Sequence, residues 1–325
     1  MTKAIRIYKS GGPEELIWED YDPGIPAEGE VRVVHQAIGL NFIDVYLRSG
    51  LYPLPKIPAI PGIEGAGVVE AVGEGVTQFK PGDRVAYAGG PPGAYAQVRL
   101  IPAHRLVLLP EAIAFREAAG IMLQGMTAGY LLKRCYKVKK GDTILIHAAS
   151  GGVGSIACQW ANHLGARVIG TVGSEEKATM AKANGCHHTI LYRTHDFMEA
   201  VNTITKGEGV NAVYDSVGQS TFLKSLDCLK SLGTMVSFGQ ASGAVEPFNI
   251  GLLAAKGSLF LTRPSIKTYT EKREDLLALA RDLFDVVERG VVRPMVLQEY
   301  PLKDAALAHE DLEARKTRGS TLLIP

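Results

Sequence analysis

Between Thr143 and Thr262, short apolar segments alternate with helical ones, and this alternation constrains the fold more than any other feature. Such strands, separated by helices of about 10–15 residues, indicate a parallel sheet with helices on both faces. The sequence therefore predicts a doubly wound, six-stranded α/β domain over residues 126–262. The predicted strands are TILIHAA (143–149), RVIGTVG (167–173), HTILYR, VNAVYDS, TMVSFG and SLFLT (258–262). The predicted helices are 153–164, EEKATMAKANG, 195–206 and 220–231.

The flanking regions have a different pattern. Residues 1–125 contain short Val-rich runs bounded by Gly and Pro, such as EVRVVHQAIG and GDRVAYAGG, which predict a β-rich unit of the small-barrel kind. The closing segment, GSTLLIP, resembles those strands. We therefore expect residues 263–325 to return to the first domain, so that 1–125 and 263–325 form one domain and 126–262 the other.

Charge and cysteine content limit the partners and the compartment. The 325 residues carry 35 Lys+Arg and 34 Asp+Glu, which excludes a general electrostatic attraction to nucleic acid or anionic lipid. The densest basic segment, KRCYKVKK (133–140), is interpreted as a solvated face or a dimer rim. No apolar run approaches the roughly 18 residues of a membrane span. The four cysteines form no C-x-x-C pair and favour free thiols in the cytoplasm.

A glycine-rich turn lies between the first predicted strand and helix of the α/β domain. Ala149-Ser150-Gly151-Gly152-Val153-Gly154 is a G-x-G-x-x-G pattern with Ala at its first position. In this context Gly151 allows a pyrophosphate to approach the backbone, Gly154 allows close helix–sheet packing, and the helix N-terminus faces the anion. The turn predicts a dinucleotide site.

The end of the second strand, Gly173-Ser174, indicates which dinucleotide binds. Enzymes that use NAD place an acidic residue here for the ribose 2′-hydroxyl, and this strand has none at its tip. Ser174, Lys177 and Tyr192 are instead suited to a 2′-phosphate, so we expect NADPH. Glu175-Glu176 is a contrary sign unless it only favours the helix N-terminus, and Lys177 alternatively is a solvated surface lysine.

Longer strings resemble a known family. IPGIEGAGVVEAVGEGVTQFKPGDRVAY and AASGGVG resemble the medium-chain dehydrogenase/reductase superfamily. NFIDVYLRSGLYP, VYDSVG, VSFGQASG and LTRPS are similar to its zeta-crystallin-like quinone oxidoreductase branch. The resemblance implies a GroES-like, β-rich catalytic domain and an NADPH-binding Rossmann domain. It also implies a homodimer that pairs through the edge strand 258–262.

The zinc ligands of related enzymes are not matched. Zinc-containing relatives carry a Gly-His-Glu string and an earlier Cys, where this chain has Gly62-Ile63-Glu64 and Asn41. Ile63 supplies no ligand and a neutral Asn41 is a poor one, so we expect no metal site. Without a Lewis acid, alcohol dehydrogenation is disfavoured. A quinone suits such a site because its carbonyls are already electrophilic and need only a few hydrogen-bond donors.

The resemblance also implies the site residues. Asn41 is a candidate amide donor to the substrate, and Tyr46 and Tyr52 are candidate hydroxyl donors or packing residues. Arg263 either stabilises an oxyanion or pairs with a carboxylate. His147 and Asp215 are interpreted as structural. Arg315, expected in the last helix, either reaches the cofactor or is a surface arginine. The remaining expected cofactor contacts are Phe42, Ile43, Asp44, Val45, Tyr46, Tyr130, Gly151, Gly152, Val153, Gly154, Val217, Gly239, Gln240, Ala241, Ser242, Pro264, Ser265 and Ile266.

These residues favour an NADPH:quinone reductase. An enoyl or 2-alkenal reductase is the alternative within enzymes, and it requires an acid to protonate carbon. A non-catalytic NADPH-binding or RNA-binding, crystallin-like protein is the alternative outside them. The residues leave open the physiological quinone, one- or two-electron transfer, the proton donor, and whether alkenals are also substrates.

Overall fold

Fifteen strands and ten α-helices form the computed structural model, which describes residues 1–325. The strands are β1 (Thr2–Arg6), β2 (Ile17–Tyr21), β3 (Glu30–Leu40), β4 (Glu64–Val72), β5 (Arg84–Ala88), β6 (Val98–Pro102), β7 (Val107–Leu108), β8 (Thr143–Ile146), β9 (Arg167–Val172), β10 (His188–Leu191), β11 (Val210–Asp215), β12 (Leu229–Ser237), β13 (Phe260–Thr262), β14 (Val296–Pro301) and β15 (Ser320–Ile324). The helices are α1 (Phe42–Ser49), α2 (Phe115–Tyr130), α3 (Gly152–His163), α4 (Glu175–Ala183), α5 (Phe197–Thr205), α6 (Phe222–Asp227), α7 (Gly251–Ala255), α8 (Ile266–Tyr269), α9 (Arg273–Glu288) and α10 (Ala305–Glu313).

The chain divides into two units. Unit 1 comprises Met1–Met126, Thr270–Glu288 and Pro294–Pro325, and unit 2 comprises Thr127–Tyr269 and Arg289–Arg293. The sequence places the return to the first domain at 263, whereas unit 2 continues to Tyr269. At the end of this range, the Tyr269 ring stacks on Tyr130 of the same unit, with centroids 4.5 Å apart and planes 6° from parallel.

Unit 2 is built around a six-stranded sheet in the order β10-β9-β8-β11-β12-β13, with every neighbouring pair parallel. The strand order reverses between β8 and β11, where ligands bind in doubly wound sheets. The predicted six-stranded α/β domain is thus confirmed. Some elements are shorter than predicted: the helix expected at 220–231 is α6, Phe222–Asp227.

Buried side chains on both faces of this sheet form the core of unit 2. Leu145, Ile169 and Val213 from the central strands are fully buried and belong to one apolar cluster with residues of α5 and α6. Because helices cover both faces, the strands are continuous apolar runs rather than alternating ones.

Unit 1 contains a seven-stranded sheet. Its order is β14-β15-β3-β4-β5-β7, and β6 also pairs with β3. The C-terminal strand β15 runs antiparallel to β3, with Leu322 opposite Gly39. The β-rich organisation that the Val-rich segments predict is therefore present. No helix in either unit has the length and apolarity that a membrane span requires.

Candidate active site

The glycine-rich turn ends β8 and begins α3. Gly151 is the N-cap of α3, and no side chain caps the helix. The first N–H groups of a helix have no partner within it, and they carry the positive end of the helix dipole. This leaves the N–H groups of Gly152, Val153 and Gly154 available to an anionic group. The arrangement fits the pyrophosphate of a dinucleotide.

Gly154 is required by its surroundings. A Cβ at this position would lie 2.2 Å from the Ala148 carbonyl oxygen and 2.9 Å from Ala149 Cα. A real Cβ does not approach backbone atoms this closely. The close packing predicted for Gly154 is therefore present, even though Ala149 replaces the first glycine of the motif.

Polar side chains converge at the end of β9. Ser174 caps α4 by accepting a hydrogen bond from the Lys177 N–H at 3.3 Å, so its own hydroxyl proton remains available to an acceptor. A Cβ on Gly173 would lie 2.9 Å from Tyr192 Oη and 3.6 Å from Arg193 Nε. The hydroxyl-bearing residues Ser174 and Tyr192 and the basic residues Lys177 and Arg193 thus belong to this region. No carboxylate lies at the tip of β9.

Arg193 is a further cation near the end of β9 that the sequence pattern does not single out. It directly follows Tyr192 at the end of β10, and its side chain is exposed. Its position next to a predicted 2′-phosphate residue was the available signal. A guanidinium binds phosphate through two parallel hydrogen bonds.

The loops that follow β11 and β12 are bonded to each other. Asp215, fully buried, accepts hydrogen bonds from the Val217 and Gly218 N–H groups at 2.7 and 3.0 Å. Ser242 donates to the Val217 carbonyl at 2.8 Å through both its N–H and its hydroxyl. The structure therefore brings Val217 together with the predicted Gly239–Ser242 segment and gives Asp215 a structural role.

Arg263 follows the edge strand of the same sheet. Its Nη1 donates to the carbonyl oxygens of Ser237 and Gly239 at 2.9 and 3.2 Å. These bonds hold the start of the Gly239–Ser242 loop. The sequence suggested an oxyanion or a carboxylate as the partner of Arg263, and the structure shows backbone carbonyl oxygens as a third kind of partner.

His147 lies within the hydrogen-bonded core of unit 2. Its ring nitrogens contact Thr171 Oγ1 and Ser225 Oγ, each at 2.9 Å, and the side chain is buried. Burial lowers the pKa of His147. Both ring nitrogens are therefore occupied by structural contacts, as the sequence suggested.

In unit 1 the candidate donors lie at and after α1. Asn41 precedes the helix and is buried. The Tyr46 ring meets that of Tyr52 edge-on, with centroids 5.3 Å apart, and the Phe42 ring centroid lies 6.1 Å from that of Tyr46. The structure thus brings the rings of both predicted hydroxyl donors together in one aromatic cluster.

A hydrogen-bond network fixes the side chain of Asn41. Its Nδ2 donates to Glu64 Oε2 at 2.6 Å, and its Oδ1 accepts from Gln124 Nε2 at 3.1 Å. Glu64 Oε1 accepts from the Leu123 N–H at 2.6 Å. Burial raises the pKa of Glu64 to about 8, although these hydrogen bonds oppose the shift.

Asp44 ends a second network. Asn41 N–H donates to its Oδ2 at 2.9 Å, and Tyr95 Oη donates to the same oxygen at 3.2 Å. Tyr95 in turn accepts from His309 Nε2 at 2.9 Å, because Arg48 donates to His309 Nδ1 at 3.2 Å. Burial raises the pKa of Asp44 to about 7. Its Oδ1 is buried without a hydrogen-bond partner, which adds to the cost of ionising this carboxyl.

Arg315 differs from its prediction. The last helix, α10, ends at Glu313, so the expectation that Arg315 lies in it is wrong. Arg315 follows in a left-handed turn with φ +59°. A residue with positive φ cannot continue a right-handed helix, and this ends α10 before it.

Comparisons with known proteins agree with this architecture. Residues 27–111 match the family described as "Alcohol dehydrogenase GroES-like domain", and residues 152–280 match "Zinc-binding dehydrogenase". A quinone oxidoreductase of Pseudomonas aeruginosa is 51% identical over 325 residues, covering 100% of both chains. The chain belongs to the quinone oxidoreductase family. The predicted membership of the medium-chain dehydrogenase/reductase superfamily is thus confirmed.

Two further relatives of this chain are named for different activities. The structure of Escherichia coli quinone oxidoreductase complexed with NADPH is 50% identical, with a TM-score of 0.97 over 99% of this chain and 100% of that one. A 2-haloacrylate reductase from a Burkholderia species is 47% identical, covering 100% of this chain and 99% of its own. The GroES-like and Rossmann-like fold class is confirmed by these likenesses.

Proposed function

We propose that this protein is an NADPH-dependent quinone reductase. The observation that carries the proposal is the full-length identity of about half to quinone oxidoreductases, one of them complexed with NADPH. The local chemistry supports it, since unit 2 has an uncapped helix N-terminus for a pyrophosphate and unit 1 has a set of buried or half-buried hydrogen-bond donors.

Unit 2 supplies most of the cofactor contacts. The N–H groups at the start of α3 would hold the pyrophosphate. Ser174, Lys177, Tyr192 and Arg193 would hold the 2′-phosphate, because hydroxyls and cations are the usual phosphate partners. Further contacts follow the sequence prediction: Tyr130, Val217, Gly239, Gln240, Ala241, Ser242, Pro264, Ser265 and Ile266.

Reduction of a quinone to a hydroquinone needs one hydride and one proton. Solvent water supplies the proton, because the hydroquinone anion that hydride transfer forms needs no dedicated acid. NADPH supplies the hydride when it is bound. Asn41, Tyr46 and Tyr52 would donate hydrogen bonds to the quinone oxygen on which negative charge develops. Arg263 would act indirectly, by holding the Gly239–Ser242 loop.

Reduction of an activated alkene is the second candidate function. It is favoured by the 47% identity to a 2-haloacrylate reductase over the whole chain. Such a substrate requires a proton on carbon rather than on oxygen, so an acid must be placed beside the α-carbon.

Initial rates of NADPH oxidation with p-benzoquinone, 2-chloroacrylate and a 2-alkenal distinguish the two. We expect kcat/KM for the quinone to exceed that for either alkene by at least tenfold. A preference for 2-chloroacrylate or the alkenal would replace the quinone assignment with the second candidate.

We also propose a homodimer that pairs through β13, and a cytoplasmic location. β13 is the last strand of its sheet, and Phe260 is 61% exposed there. An open apolar edge is a liability that pairing with a second copy removes. Four free cysteines support the proposed location, because disulfides are rare in the cytoplasm.

A further inference from the structure

The Glu64 carboxyl is fully buried at the start of β4, and the proposed reaction does not use it. Both of its oxygens accept hydrogen bonds of 2.6 Å, one from the Asn41 amide and one from the Leu123 N–H of α2. A buried carboxyl is costly unless it is bonded in this way. Glu64 therefore joins the Asn41 side chain to a fixed point on the backbone.

The chain makes room for this carboxyl on the neighbouring strand. A Cβ on Gly39 would lie 2.2 Å from Glu64 Oε2 and 2.3 Å from the Ala119 carbonyl oxygen. Any side chain at position 39 would displace Glu64. The absence of a side chain at that position of β3 thus permits the Glu64–Asn41 bond.

The Asn41 amide is held in one orientation. Its nitrogen faces Glu64, and its oxygen accepts from Gln124 Nε2 at 3.1 Å. Turning the amide over would set its N–H groups against Gln124 Nε2 and its oxygen against Glu64. An amide carries two N–H donors, and the bond to Glu64 uses one of them.

We propose that Glu64 is a positioning residue, which orients the Asn41 amide so that its second N–H donates to the quinone oxygen. This inference rests on the proposed function. A donor that is already oriented requires no rearrangement when charge develops on the substrate, and it stabilises the transition state more than the ground state. The effect therefore belongs to kcat.

The variant Glu64→Gln tests whether position 64 must accept a hydrogen bond from the Asn41 amide, because Gln has nearly the same volume as Glu but carries N–H donors. Above about pH 8 wild-type Glu64 is ionised and both of its oxygens accept, so the two proteins are compared in that range. If the new amide oxygen in the variant accepts from Leu123, the new N–H group faces the Asn41 nitrogen, and two donors oppose each other. We expect kcat for p-benzoquinone to fall at least tenfold while KM for NADPH stays within twofold. Glu70→Gln is the matched control, because Glu70 lies exposed on the same strand and pairs with Arg32.

The double variant Asn41→Asp, Glu64→Gln separates positioning from a purely structural role. The new carboxylate at position 41 would accept hydrogen bonds from both the new amide at position 64 and Gln124, which restores the network and favours the ionised carboxylate. We expect the thermal midpoint to return towards the wild-type value while kcat stays at least tenfold low, because no N–H faces the quinone.

The outcomes are distinct. Wild-type kcat in Glu64→Gln, or kcat that recovers with stability in the double variant, would overturn the positioning role. If Glu64→Gln does not fold, Glu64→Asp replaces it, because the shorter carboxylate withdraws the acceptor from the Asn41 amide without adding a donor, and a wild-type kcat in that variant would overturn the positioning role. A wild-type protein that does not reduce p-benzoquinone with NADPH would instead refute the proposed function, and this is measured first.

Discussion

Single glycines in the turns and helix starts that follow parallel strands determine where a phosphate can approach. Gly154 and Gly173 both lack a side chain where a Cβ would meet neighbouring atoms at 2.2 and 2.9 Å. At Gly154 the neighbours are backbone atoms, so the position is fixed by packing. At Gly173 the nearest neighbour is the Tyr192 hydroxyl, so the missing side chain brings a polar group close to the end of β9.

Arg193→Gln tests the 2′-phosphate contact. We expect KM for NADPH to rise at least tenfold and KM for NADH to change less than twofold, because only NADPH carries the phosphate that the guanidinium would bind. Arg167→Gln is the matched control, since this exposed arginine lies at the opposite end of β9. Equal changes for both cofactors would remove Arg193 from the site.

Gly154→Ala tests the turn. The added Cβ would displace the Ala148–Ala149 backbone from α3, so we expect the dissociation constant for NADPH to rise at least tenfold. Fluorescence titration of NADPH measures this, and thermal unfolding of the cofactor-free protein reports any loss of fold. Unchanged NADPH affinity in a folded variant would contradict the role of the turn.

At the scale of elements, α1 is connected to the rest of unit 1 by two buried networks that meet at Asn41. One contains Glu64 and the other contains Asp44, Tyr95 and His309. Burial also lowers the pKa of His309 to about 3, with Arg48 adding to the shift, so its neutral form donates to Tyr95. The networks give the candidate site rigid support.

The variant Asp44→Asn tests whether burial raises the pKa of the Asp44 carboxyl, through the pH dependence of the free energy of unfolding. The pKa of Asp44 is raised to about 7, and an unfolded Asp titrates near about 4. Between these values the folded chain binds more protons, so Asp44 makes stability fall as pH rises. The free energy of unfolding of the variant, relative to wild type, should therefore increase by up to about 1.4 kcal/mol per pH unit in that window.

Urea unfolding at several pH values between about 4 and about 7 measures this difference. Asn retains an acceptor for Asn41 N–H and Tyr95 Oη. Asp22→Asn is the control, because Asp22 is exposed and Asn keeps its bond to the Gly24 N–H. A difference between Asp44→Asn and wild type that does not vary with pH would contradict the shifted pKa.

Local patterns in the sequence predicted the elements but not the contacts between distant ones. Strand and helix periodicity predicted the six strands of unit 2. The glycine-rich turn lies between β8 and α3, which are the first predicted strand and helix of that unit. The bond between Asn41 and Glu64 joins residues far apart in sequence, and no periodicity reveals it. Arg315 was misplaced because its segment is compatible with a helix, and only its positive φ shows where α10 ends.

At the scale of the whole molecule, the free edge of β13 is the feature that a second copy would cover. Phe260→Glu replaces an apolar side chain on this edge by a charge in both copies, so we expect the mass in solution to fall from twice 34.9 kDa to that of a single chain. Analytical ultracentrifugation measures the mass, with Leu108→Glu as the control because Leu108 is 55% exposed on the edge of the other sheet. A wild-type monomer would contradict the dimer.

Stopped-flow mixing of the NADPH-loaded protein with p-benzoquinone is the most direct test of hydride transfer from NADPH to a quinone. We expect NADPH absorbance to disappear faster than in the protein-free reaction, with one hydroquinone formed for each NADPH. Deuterium at the transferred position of the nicotinamide should slow this phase. A rate equal to the protein-free rate would refute hydride transfer by this protein, and the same rate with NADH would refute its preference for NADPH.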